Sequence, residues 1–218
     1  MGSANLTTDL TGKRALVTGG ASGIGLATVT LLATCGARVA MNHLPDDARA
    51  ETELGRLRAD GLDVISAPGS VSEESACYAM VKDGIDALGG LDILINNAGT
   101  PGGTKPIAFT DLDAMTADFW DLILSTNLLG PFRCSHAAAD ALKADGGGAI
   151  VSTASIAGID TVGSSIAYGA SKAALINMTR NLARALSPNV RVNAVAPGLV
   201  RSPWTETWPE ERKTASIN

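Results

Sequence analysis

The sequence is poor in the residues that cross-link small folds or bind metals. Its 218 residues include three cysteines, Cys35, Cys77 and Cys134, with no Cys-x-x-Cys spacing, and two histidines, His43 and His136. An odd, dispersed cysteine set argues against a disulfide framework and for buried, reduced thiols in a cytoplasmic protein. Two distant histidines make no metal site. Basic runs are also missing and the net charge is −5. Nothing here would follow a phosphate backbone, so no nucleic-acid partner is expected. No apolar stretch reaches membrane-spanning length, so no membrane partner is expected either. Met1 to Leu6 lacks the apolar core of a signal peptide. It opens like a myristoylation site, but Leu6 stands where Ser or Thr is required.

What is present fits one globular domain spanning 1–218. Hydrophobic residues make up 45% and charged residues 18%, enough to build a substantial core. Short apolar runs alternate with longer amphipathic segments. The runs Ala15 to Thr18, Arg38 to Met41, Asp63 to Ala67, Ile93 to Asn96, Ala149 to Ser152 and Arg191 to Ala196 read as buried parallel strands. Ile24 to Cys35, Asp46 to Asp60, Glu73 to Leu88, Phe119 to Ala144 and Ala167 to Ser187 read as helices. This order predicts an α/β fold, a single-domain, doubly wound parallel sheet of Rossmann-like type. Gly146-Gly147-Gly148 reads as a tight helix-to-strand turn, and Thr100 to Pro106 as a loop.

Thr18-Gly19-Gly20-Ala21-Ser22-Gly23-Ile24-Gly25 falls between the first strand and the first helix. Glycines there let the backbone approach a pyrophosphate, and the helix N-terminus supplies N–H donors and a positive dipole end. A glycine pattern alone is weak; its place directly after Ala15-Leu16-Val17 makes it a nucleotide-binding candidate. Far along the chain, Tyr168 and Lys172 lie one helical turn apart in Tyr-Gly-Ala-Ser-Lys, thirteen residues after Ser155. An ammonium beside a phenol favours the phenolate, so Lys172 is expected to ease proton loss from Tyr168. Ser155 follows a strand end, where ligand crevices form, and its hydroxyl could bond a substrate oxygen. Ser152 is a rival.

The glycine spacing, Asn96-Asn97-Ala98-Gly99, Asn127, Ser155, Tyr168, Lys172 and Pro197-Gly198 occur in an order that closely resembles the short-chain dehydrogenase/reductase family over nearly the whole chain. The resemblance implies a catalytic group of Asn127, Ser155, Tyr168 and Lys172. Asn127 would bend its helix and hold a water in a proton relay, and Lys172 would also hold the nicotinamide ribose. Dinucleotide contacts are implied for Gly19, Ser22, Gly23, Ile24, Gly25, Asn42, His43, Ser70, Val71, Asn96, Ala98, Gly99, Pro197, Gly198, Val200 and Ser202, besides Tyr168 and Lys172. Asn96 would touch the ribose, while Asn97 is as well read as structural. The cofactor would be NADP or NAD, the partner a small alcohol or carbonyl compound, and the assembly a homo-oligomer, typically a homotetramer.

Four departures matter. No Asp stands near His43, where NAD-preferring members carry one, which tilts the expectation toward NADP although no Arg replaces it. Ser70-Val71 stands where Asp-Val is usual, and Ser202 where Thr is usual. The resemblance also implies a C-terminal helix and strand that these 218 residues are not expected to include. A substrate-loop region is expected at about 197–213. The expected activity is interconversion of an alcohol and a ketone, with Tyr168 as general acid/base and hydride transfer at nicotinamide C4. An epimerase or dehydratase on the same scaffold and a non-catalytic nucleotide-binding protein are the alternatives. The mostly small or apolar lining residues point to a neutral or partly apolar carbonyl compound.

Overall fold

The computed structural model describes residues 8–200 together with 205, 206, 208 and 210. Among the described residues, six strands are interspersed with six α-helices: β1 (Arg14–Val17), α1 (Gly23–Thr34), β2 (Arg38–His43), α2 (Ala48–Ala59), β3 (Val64–Pro68), α3 (Glu74–Leu88), β4 (Ile93–Asn96), α4 (Ala117–Leu124), α5 (Gly130–Lys143), β5 (Gly148–Thr153), α6 (Ile166–Leu186) and β6 (Val190–Val195). The sheet order is β3-β2-β1-β4-β5-β6, with every pairing parallel. The chain reverses its winding between β1 and β4, and that reversal opens a crevice at the C-terminal strand ends.

Side-chain alternation along β1 assigns its residues to two cores. Ala15 and Val17 join Val29, Val39, Met41, Leu54 and Leu57 beneath α1 and α2. Leu16 joins Leu94, Ile150, Val81 and Leu142 beneath α3 and α5 on the opposite face. Both faces of the sheet are therefore covered, which explains why its strands read as continuous apolar runs.

The expected helix from Phe119 to Ala144 is instead α4 and α5 joined by a π-helical turn, Ser125–Leu129. Pro131 supplies the reason. It has no N–H to give the carbonyl of Asn127 four residues earlier. The ladder shifts register, and the Gly130 N–H donates to the Ser125 carbonyl five residues back. The bulge leaves the Asn127 side chain completely buried between α4 and α6.

Cys77 on α3 and Cys134 on α5 are buried free thiols with their Sγ atoms 3.4 Å apart. Cys35 departs from the expectation of buried thiols: it caps the end of α1 and is only partly buried.

Candidate active site

A cavity of about 970 Å³ lies along the C-terminal ends of the strands. At one end the turn after β1 is drawn tight. Gly19 has φ +63°, and a Cβ there would come within 2.9 Å of the Ala98 backbone. A Cβ on Gly25 would overlap the Gly19 carbonyl and come within 2.6 Å of Asn97 Nδ2. These glycines let α1 press against the turn, so Gly19, Ser22, Gly23 and Ile24 at its N-terminus line the cavity while Gly25 lies behind them. Ser22 makes no side-chain capping bond to α1, and the helix carries no acidic residue in its first turn. Its N-terminal field is thus left uncompensated toward an anion.

Side-chain amides hold this turn. Asn42 Oδ1 accepts from the Gly19 N–H at 3.1 Å, while its Nδ2 donates to the carbonyls of Ala67 and Gly69. Asn97 Nδ2 donates to the carbonyls of Thr18 and Gly19, and its Oδ1 accepts from Thr153 Oγ1. Asn96 differs from the expectation of a ribose contact. Consecutive strand residues face opposite ways, and Asn96 points beneath α5, buried, where Nδ2 donates to Ser135 Oγ at 3.0 Å. Asn97, Ala98 and Gly99 are the members of that motif that line the cavity.

His43 is held on both ring nitrogens, with Nδ1 donating to the Leu44 carbonyl and Nε2 accepting from Ser66 Oγ, each at 2.8 Å. Ser70 and Val71 line the cavity beside it. Ser70 Oγ is 2.8 Å from Ser72 Oγ. Two charged lining residues went unnoticed in the sequence, Asp47 and Arg49. They form a two-pronged pair at 2.8 Å on each prong. The guanidinium holds the Asp47 carboxyl below its ordinary range. Both fall within the helix expected from Asp46 to Asp60, and their aim depends on where β2 ends.

At the other end Ser155, Tyr168 and Lys172 converge on the same cavity. Ser165 caps α6 by accepting from the Tyr168 N–H at 3.1 Å, which fixes the first turn and the phenol on it. Ser155 is close enough to the Tyr168 phenol to favour its ionised form. Lys172 is buried; its Nζ lies 5.7 Å from the phenol ring centroid and donates to the Thr153 carbonyl at 2.8 Å. Ser152, the rival serine, is buried in β5 and does not line the cavity.

The charge balance differs from the expected easing of Tyr168 ionisation. Burial pushes the Tyr168 phenol above its ordinary range, and the neighbouring Ser155 hydroxyl only partly opposes it. Burial also brings Lys172 down to about 8. Desolvation penalises each charged form, and at this separation it outweighs the lysine's field.

Asn127 lies outside the cavity lining. Its Oδ1 accepts from the Thr100 N–H at 2.8 Å, and its Nδ2 donates to the Thr100 carbonyl and to Ser171 Oγ. Ser171 in turn donates to the Tyr168 carbonyl at 2.7 Å. Asn127 therefore ties the loop after β4 to α6. Pro197, Gly198 and Val200 line the cavity, while Ser202 lies outside the described residues, as does much of the expected 197–213 loop. Among the described residues no group of three or more His, Cys, Asp or Glu side chains could hold a metal, and no helix is long and apolar enough to cross a membrane.

Residues 13–213 match the family model described as short chain dehydrogenase. This chain belongs to the short-chain dehydrogenase/reductase family. It is an NAD(P)-dependent oxidoreductase by that membership. A protein of Streptomyces violaceoruber assigned as ketoacyl reductase 2 of granaticin polyketide synthase is 40% identical over 192 residues, covering 88% of this chain and 74% of the relative. A short-chain dehydrogenase of Burkholderia cenocepacia crystallised with NADP superposes with a TM-score of 0.80 at 38% identity, covering 89% of this chain and 77% of that one. A 7α-hydroxysteroid dehydrogenase complexed with NADH and 7-oxo glycochenodeoxycholic acid superposes with a TM-score of 0.80 at 29% identity, covering 94% of this chain and 75% of that one.

Proposed function

We propose that this dehydrogenase interconverts a ketone and a secondary alcohol, with Tyr168 as the acid/base. The observation that carries the reading is the Ser155–Tyr168 hydroxyl pair, with Lys172 behind it, in the cavity that also holds the glycine turn. The turn fits a dinucleotide, because glycines remove the Cβ atoms that would fill its cradle and α1 aims its N-terminus into the space. Gly19, Ser22, Gly23 and Ile24 would hold the pyrophosphate. Ser70, Val71, Ala98 and Gly99 would flank the adenosine, and Pro197, Gly198 and Val200 the nicotinamide side. The bound nicotinamide would supply hydride donation and acceptance.

In the reducing direction Ser155 Oγ bonds the carbonyl oxygen and Tyr168 Oη delivers a proton to it. A phenol raised by burial is fully protonated at neutrality, which suits it to donate. In the oxidising direction Tyr168 must act as the phenolate that takes the alcohol proton, and the Lys172 cation stabilises that phenolate.

NADP is the cofactor this reading favours. No carboxylate ends β2 to repel a 2′-phosphate, Arg49 supplies a cation on the adenosine side, and the Burkholderia cenocepacia relative was crystallised with NADP. The test is spectroscopic. A ketone panel should oxidise NADPH stoichiometrically, with net loss of reduced-cofactor absorbance. Turnover with no net change in that absorbance would move the chain to epimerase or dehydratase chemistry.

A further inference from the structure

Resting on the ketone-reducing reading above, we infer that the substrate is an uncharged ketone with an extended apolar body, laid along a wall of Phe109, Leu122, Ile156 and Val162.

Scattered exposed apolar side chains are ordinary, but a concentration of them around one polar site is not. Phe109 (39%), Leu122 (45%), Ile156 (36%) and Val162 (40%) are all exposed, and all line the cavity that contains Ser155 and Tyr168. They arrive from four segments: the loop before α4, α4 itself, the short 3₁₀ turn Ile156–Gly158 after β5, and the loop before α6. Backbone contacts join the loop before α4 to the loop before α6, and the 3₁₀ turn to the segment after β6. The Ile107 N–H donates to the Ser164 carbonyl at 2.8 Å, and the Ile156 N–H to the Pro197 carbonyl at 3.1 Å. The Gly163 backbone passes so close to the phenol that a Cβ there would lie 3.4 Å from the Tyr168 ring. The loop that carries Val162 therefore runs against the Tyr168 ring.

Charge sets the second half of the inference. Among the described residues, the cavity is lined by three charged side chains, Asp47, Arg49 and Lys172. Asp47 and Arg49 are paired with each other at the β2 end, and Lys172 is buried with its Nζ on the Thr153 carbonyl. Among the described residues, no other charged side chain lines this cavity. A carboxylate or phosphate near the carbonyl would lose water there without gaining a partner, which is costly. A hydrocarbon body would gain with each methylene it covers.

The experiment uses the full chain with saturating NADPH. A homologous series of unbranched methyl ketones is compared with keto acids of matching length and their methyl esters. Complete burial of a methylene gives up to about fourfold in kcat/KM, so a rise of about twofold per methylene is expected for a half-open wall. Each methyl ester should exceed its carboxylate at least about tenfold. Leu122→Lys should flatten the chain-length slope and narrow the ester-to-acid ratio, with NADPH affinity unchanged as the check that the variant folds. Turnover with a flat length dependence, or with carboxylates preferred, would overturn the inference while leaving the ketone-reducing reading intact. No turnover of any ketone in either series would overturn both.

Discussion

Ser165 Oγ accepts the backbone N–H of Tyr168 at 3.1 Å, so one hydroxyl both starts α6 and aims the phenol on its first turn. Replacing Ser165 with Ala removes an N-cap, which costs about 1 kcal/mol of stability. It also frees the turn that carries Tyr168, so kcat should fall more than KM rises. Ser165→Asp, another good cap, should restore both. Thermal unfolding and steady-state kinetics on the two variants check this. A stability loss with unchanged kcat would show that the cap does not position the phenol.

The strands and the glycine turn were legible because their signals are local. Apolar runs placed every strand within two residues of its observed ends. The misjudged features depend on relations the sequence does not display. Pro131 was a visible helix breaker, yet its effect falls four residues earlier on Asn127, where it makes a bulge and not an end. Asn96 and Asn97 are chemically identical neighbours, and only the pleat of β4 decides which one faces the cavity. Asp47 and Arg49 were both expected inside the helix Asp46 to Asp60. Their joint aim at the cavity follows from the exit of β2. The direction of the Tyr168 shift hinged on burial depth, which spacing to Lys172 alone cannot give.

Two glycines in helices should respond oppositely to alanine. A Cβ at Gly25 overlaps the Gly19 carbonyl, while one at Gly55 in α2 meets nothing within 4 Å. Gly25→Ala should push α1 off the turn and weaken dinucleotide binding at least about tenfold, the loss expected when close helix–turn packing goes. Gly55→Ala should stabilise the fold by about 0.5–1 kcal/mol through the lower entropy of the unfolded chain, with binding unchanged. Cofactor titration by fluorescence and chemical denaturation measure the pair.

Lys172 gives a pH dependence of defined sign. Its ammonium titrates near 8 in the folded chain, against an ordinary 10.5. Below about 8 both states are protonated and the burial penalty is constant. Between 8 and 10.5 the unfolded state holds the extra proton, so this group's contribution to stability rises with pH. Relative to Lys172→Met, which lacks the group, the parent chain should gain stability across that window, with a slope of up to about 1.4 kcal/mol per pH unit. Parallel denaturation of the two proteins from pH 7 to pH 10 tests it. A constant difference would mean that the folded lysine titrates normally.

Arg49 and Asp47 set the cofactor preference in opposite senses. Arg49→Gln should lower the ratio of kcat/KM for NADPH over NADH about tenfold, the worth of one charge-assisted phosphate contact. Asp47→Asn keeps a helix-capping side chain but loosens the guanidinium clamp, so the ratio should rise. Kinetics with both cofactors decide this. Ratios unchanged in both variants would take the pair out of cofactor recognition.

The central claim is that Tyr168 moves the proton, and Tyr168→Phe tests it most directly because it deletes one oxygen and keeps the ring. The measurement pairs turnover of a reactive ketone with the Kd for NADPH in the same preparation. A fall in kcat of at least about a hundredfold is expected, with Kd within about twofold of the parent value, since the glycine turn and Lys172 are untouched. Turnover near the parent rate in that variant would contradict it.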